Sequence, residues 1–193
     1  MNSLLLVCML GMILSTFCDP FLFFPPAMLP VKPAGWAYTG IYLGLKISGE
    51  YYMTPVDNGD NKVIGYREYQ TLENKLFSQT VYGTSYLNGS FPQALINGTH
   101  CENPFVENLN CTGWIFEKLE GLNYKYDNAC SMVRLNSTIT GNLTMSVLSQ
   151  PGDPTTIMSS EFVALVPGGI AVTLDMTFVA PITSQMPDTD CTF

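Results

Sequence analysis

Histidine is almost missing from this chain: His100 is the only one in 193 residues. A serine or cysteine nucleophile that needs an imidazole base would have to use it. Yet His100 follows the glycosylation sequon at Asn97 and abuts Cys101, where a sugar would crowd a substrate cleft. Charge is scarce too, at 12% Asp, Glu, Lys and Arg, with 8 basic against 16 acidic residues and a net charge of −8. A surface of that sign repels nucleic acid. No Gly-rich phosphate loop of either common type occurs, and no carboxylate pair is marked out by its context, so the chain is not expected to be an enzyme. Beyond residue 18 no apolar run is long enough for a transmembrane helix, so no integral membrane segment is expected in the mature chain.

What is present is a concentration of N-x-Ser/Thr sequons, at Asn88, Asn97, Asn110, Asn136 and Asn142. Upstream, the apolar stretch from Leu4 to Phe17 ends in Thr16-Phe17-Cys18, and cleavage before Asp19 would make residues 1–18 a signal peptide. A lipobox at Cys18 is the rival reading, and Phe17 fits it poorly. Signal and sequons together predict a secreted, extracellular glycoprotein.

Removal of the signal leaves Cys101, Cys111, Cys130 and Cys191, an even set that predicts two disulfides in an oxidising compartment. Three pairings are open. The expectation favours Cys101 with Cys111, closing a loop, and Cys130 with Cys191, tying down the tail. Zinc is disfavoured by wide cysteine spacing and the lone histidine. Asp57-Asn58-Gly59-Asp60-Asn61 offers oxygen ligands around a glycine, but it lacks the full calcium loop, so a hairpin turn is the stronger reading and calcium the weaker.

Residues 19–33, with Phe21 to Phe24 followed by repeated prolines, fit neither helix nor interior strand and predict an extended apolar arm that docks in a groove of this molecule or of a partner. Residues 34–193 read as one β domain. Strands are expected over Trp36–Leu45, Ile47–Thr54, Lys62–Gln70 and Lys75–Tyr82, with turns at Val56–Asn61 and Leu72–Asn74. Asn97–Asn110 reads as a sugar-bearing loop, Trp114–Leu119 as a short helix or strand, and Ser149–Pro154 as a loop.

Alternation is clearest later. In Thr138–Leu148, Ile139, Leu143, Met145 and Val147 share the inner face and Asn142 the outer. In Ile170–Phe178, Ile170, Val172, Leu174, Met176 and Phe178 face inward, and Pro167-Gly168-Gly169 joins this strand to Glu161–Val166. The inward faces nominate Trp36, Tyr42, Met145, Val147, Leu174, Met176 and Phe178 as the lining for an apolar small molecule or lipid. Ordinary core packing is the plainer role for any one of them.

Several features together resemble the ependymins and their relatives over residues 30–193. They are the Pro33 to Trp36 entry, the Tyr-rich meander, Cys130 followed by Met132-Val133-Arg134, and the close Phe178-Val179-Ala180-Pro181 with a last Cys191. The resemblance implies a fold similar to bacterial lipoprotein carriers: an all-β, strongly curved antiparallel half-barrel holding an apolar ligand on its concave face, with calcium-linked behaviour in some members. Lipocalins are less similar, since Gly35-Trp36-Ala37-Tyr38 lacks their G-x-W order. The alternative function is an extracellular structural or cell-surface interaction protein with no small-molecule ligand, whose arm engages a protein partner or a second copy.

Overall fold

The computed structural model describes residues 24–60, 62–87, 89–134, 140–166 and 168–191. The expected signal peptide, residues 19–23 of the arm, Ile139, and the sequons at Asn88 and Asn136 lie outside them. Among the described residues, eleven antiparallel strands form one sheet: β1 Ala34–Tyr42, β2 Leu45–Asp57, β3 Val63–Glu73, β4 Ser78–Tyr86, β5 Ser90–Asn97, β6 His100–Cys111, β7 Ile115–Lys118, β8 Tyr124–Arg134, β9 Thr140–Gln150, β10 Asp153–Val166 and β11 Ile170–Pro181.

β1 pairs with both β2 and β11, so the meander runs in two directions from it, and β6 meets β8 at Glu107–Cys111 against Arg134–Cys130. That pairing closes a ten-strand barrel, where a half-barrel was expected. β7 lies beyond the end of β6 and pairs with the first residues of β8, as a broken continuation of the same strand. Closure removes the unpaired edges that an open sheet of this size would expose.

Short turns set the register. Asp57 Oδ1 accepts from the Gly59 amide at 2.8 Å and Asn58 Oδ1 from the Asp60 amide at 3.1 Å, so these oxygens serve the β2–β3 turn itself. The next turn falls later than expected. Leu72 is a buried core residue of β3, and Asn74 Oδ1 accepts from the amides of Leu76 and Phe77 to make the turn. Asn97–Asn110 is likewise the β5–β6 hairpin, where an irregular loop was expected, and Trp114–Leu119 holds the strand β7. Only Pro151 and Gly152 separate β9 from β10.

Inside, Tyr38, Tyr42, Tyr51, Phe162, Leu143 and Met132 are among the largest fully buried side chains. Burying each aliphatic or phenyl group contributes roughly 1.5–3 kcal/mol. Gly49 decides how Tyr38 lies. The two face each other across β1 and β2, and a Cβ on Gly49 would stand 2.9 Å from the Tyr38 hydroxyl and 1.9 Å from the Thr71 carbonyl oxygen. With no side chain there, Tyr38 crosses β2 and donates to that carbonyl at 2.7 Å.

The arm enters at the end of the barrel where β1 begins. Phe24 is buried with its ring edge-on to Tyr51 and Phe178, at 5.8 and 5.9 Å, and a single 3-10 turn at Pro26–Met28 buries Met28. After β11 the tail crosses the outer wall. The Ile182 amide donates to Gly35, Ser184 Oγ lies 2.8 Å from the Tyr52 hydroxyl, and the Asp190 amide donates to Thr99.

A disulfide between Cys101 and Cys191 locks this strap to the β5–β6 turn, and the second joins Cys111 to Cys130 across the β6–β8 seam. Both pairings differ from the expected ones, because Cys101 and Cys111 sit at opposite ends of one strand. Non-reducing peptide mapping should recover these two pairs and no free thiol. The loops enclosed span 90 and 19 residues, so Cys191→Ser should destabilise by about 4.5 kcal/mol and Cys130→Ala by about 3 kcal/mol in chemical denaturation. Stoichiometric alkylation of denatured, unreduced protein would contradict both bridges.

Candidate functional site: the barrel interior

All seven nominated lining residues converge. Trp36 and Tyr42 come from β1, Met145 and Val147 from β9, and Leu174, Met176 and Phe178 from β11, and all belong to or pack against one hydrophobic cluster. Alternation explains the convergence, since each strand turns every second residue inward and β9, β10, β11 and β1 are consecutive in the sheet. The Trp36 and Phe178 rings meet at 6.3 Å, edge to face.

Two inward assignments are refined. Ile170 is half exposed at the β10–β11 turn and lines nothing, because the strand begins there. Phe178 is only partly buried, since a bulge opposite Ala37 and Tyr38 displaces Val179 outward. Asn142 and Asn110 are exposed on the outer faces of β9 and β6, and Asn97 is exposed at the β5–β6 turn.

The apolar wall is packed. Tyr42, Val147, Phe162, Ala164, Val172 and Leu174 have no exposed surface at all. Three cavities among the described residues open on the outside. One of about 430 Å³ lies over β8–β10 between Thr112, Asp127, Thr144 and Glu161. A second of about 400 Å³ lies under the strap, between Arg67, Tyr82, Thr84 and Asp188. The third, about 490 Å³, lies at the rim between Leu45, Lys46, Glu73 and Leu76.

The opposite wall of the interior is polar, and sequence reading did not foresee it. Glu68 accepts from Ser85 Oγ and from the Tyr51 hydroxyl, and Gln70 Nε2 donates to the Tyr38 hydroxyl at 3.1 Å. Arg134 donates to Glu107 Oε1 through Nε at 3.0 Å and Nη2 at 2.6 Å, in the inward row beside Cys111–Cys130. Gln93 is fully buried with neither amide atom hydrogen-bonded, and Glu107 Oε2 is also unpartnered. Such groups mark a strained or hydrated spot in a core, because an unmade buried hydrogen bond costs about 1–3 kcal/mol.

His100 Nδ1 lies 3.0 Å from Asp190 Oδ2 on the exposed strap, and that contact, with the Cys101 amide, holds the Asp190 carboxyl below its ordinary range. The one close grouping of metal-ligand types among the described residues is Cys101, Asp190 and Cys191, whose two sulfurs are spent in the disulfide.

Burial pushes the Glu107 carboxyl up to about 7, outweighing the Arg134 guanidinium, which pulls it down. In the unfolded chain the same group titrates near 4.3, so the folded state holds a proton that the unfolded state releases as pH rises above about 4.3. The stabilisation is therefore complete below the unfolded value and is lost as pH climbs to about 7. Denaturation midpoints should fall across that window, and Glu107→Gln should remove most of the slope. A wild-type midpoint that rises through the window would refute this reading of Glu107. No family model, curated protein or solved structure matches this chain, so its interior and its surface stand as the sources for a functional reading.

Proposed function

We propose that this chain is a secreted, glycosylated extracellular binding protein that engages its partner through the outside of a closed barrel, with the interior serving as scaffold. The observation that supports this reading most is the filling of the interior. Residues nominated to hold a ligand instead hold one another, and Phe24 of the arm plugs the end where Tyr51 and Phe178 would otherwise open. Two disulfides, an outer strap and sequon asparagines on the outer face suit a protein built for an oxidising, protease-rich exterior.

The second reading is the lipid carrier that the resemblance to ependymins implies. One observation favours it: Gln93 presents an unpartnered amide to the interior opposite an apolar wall, as a pocket for an amphipathic molecule would. For a ligand to enter there, Phe24 would have to leave.

The readings separate by mutation. Met176→Asp places a carboxylate in a packed core and should unfold the barrel, with loss of the β circular-dichroism signal, while Thr177→Asp on the outer face should change stability by less than about 0.5 kcal/mol. Wild type should take up no fluorescent fatty acid at micromolar concentration, and Phe24→Ala should destabilise by about 3–5 kcal/mol without creating uptake. Saturable uptake by folded wild type, increased in Phe24→Ala, would overturn the scaffold reading in favour of the carrier.

A further inference from the structure

Resting on the outer-surface reading, we propose that the rim formed by the β1–β2, β3–β4 and β10–β11 turns docks on an anionic lipid surface. These three turns lie at the barrel end opposite the arm. Strand pairing makes them neighbours: β2 joins β3, β1 joins β11, and the Leu43 amide donates to Thr173 at 3.2 Å. Each tip carries exposed aliphatic side chains, with Ile41, Leu43 and Leu45 on the first, Leu76 on the second, and Ile170 on the third. Leu76 is 79% exposed. Water is a poor solvent for so many large aliphatic tips at one end, and apolar tips inserted among acyl chains are how a protein rests on a membrane without crossing it.

Leu43 is the most telling. It sits at φ 48 and is followed by Gly44 at φ 79 in a two-residue hairpin. That conformation favours Asn-Gly and penalises leucine, so an apolar side chain is held at the tip against local preference. Lys46 and Lys75 flank Leu45 and Leu76 and are both exposed, Glu73 being the acid that lines the same cavity. In a chain with 8 basic against 16 acidic residues, two lysines set beside the apolar tips supply the charge that anionic headgroups attract.

The sequons leave the lysine-bearing part of this surface open. None falls within β1, β2, β3, β4, β10 or β11. Asn97 and Asn142 stand at the same end: Asn97 on the β5–β6 turn, with β4 between it and the lysine-bearing tips, and Asn142 on β9 directly opposite Leu165. Sugars at Asn97 and Asn142 would therefore border the footprint on its two sides, and the tips of the β1–β2 and β3–β4 turns would project from the bare arc between them.

Flotation of the glycosylated full chain with vesicles tests this directly. The protein should float with mixed phosphatidylserine–phosphatidylcholine vesicles, much less with pure phosphatidylcholine, and should be released by salt. Lys46→Glu and Lys75→Glu should each weaken binding about fivefold or more, and Leu76→Asp about tenfold, with unchanged circular dichroism. Leu43→Asn supplies a readout that structural damage cannot mimic, since it should raise the melting temperature and lower vesicle binding together. Absence of flotation with anionic vesicles, or flotation that all four variants retain, overturns the proposal. Either result leaves a protein partner for the outer surface, whereas failure of the outer-surface reading would show separately, as fatty-acid uptake.

Discussion

A barrel is held shut by its last seam, and here that seam is five residue pairs long, from Glu107 with Arg134 to Cys111 with Cys130. Its three inward pairs are an ion pair, a Leu109–Met132 contact and a disulfide. Each resists opening by different physics. The covalent bond removes freedom from the unfolded chain, the apolar pair is driven by exclusion of water, and the buried ion pair fixes register because a slip would strand a charge. Without this seam β6 and β8 would be free edges, and the cluster around Phe162 and Tyr42 would lose the wall that encloses it.

Much of the architecture was legible because half-buried strands advertise themselves by alternation. β9 and β11 put Leu143, Met145, Val147, Val172, Leu174 and Met176 inward as their period of two requires. The hidden parts share one cause, the polar wall of the interior. β6 carries Glu107 where an apolar residue would have completed the pattern, so a strand reads as a loop. β3 turns Glu68 and Gln70 inward and Tyr69 outward, which blurs its two faces and hid the polar cluster altogether. Closure and cysteine pairing are long-range facts: once β6 lies beside β8, Cys111 must face Cys130, and Cys101, ten residues away along β6, is left for the tail.

The apolar lining shows how far a sequence-derived site can be right about faces and silent about volume. Seven residues on three strands meet as expected, and inward orientation is common to a ligand pocket and a packed core. What separates the two is whether other side chains reach the same space. Phe24 does, from outside the regular strands, and so do Phe162 and Tyr51. Neither alternation nor composition encodes that occupancy.

The strap gives the barrel an unequal circumference. From the end of β11 it passes over β1 toward β5 and is bonded at Cys101, so that arc is wrapped like a hooped cask and tension there is carried by covalent bonds as well as by ladder hydrogen bonds. The arc of β8, β9 and β10 has no such hoop beyond its seam. Opening the hooped arc, which holds up the lysine-bearing rim, therefore requires breaking the strap's bonds as well as the ladder, whereas the other arc is held by its ladders and its seam.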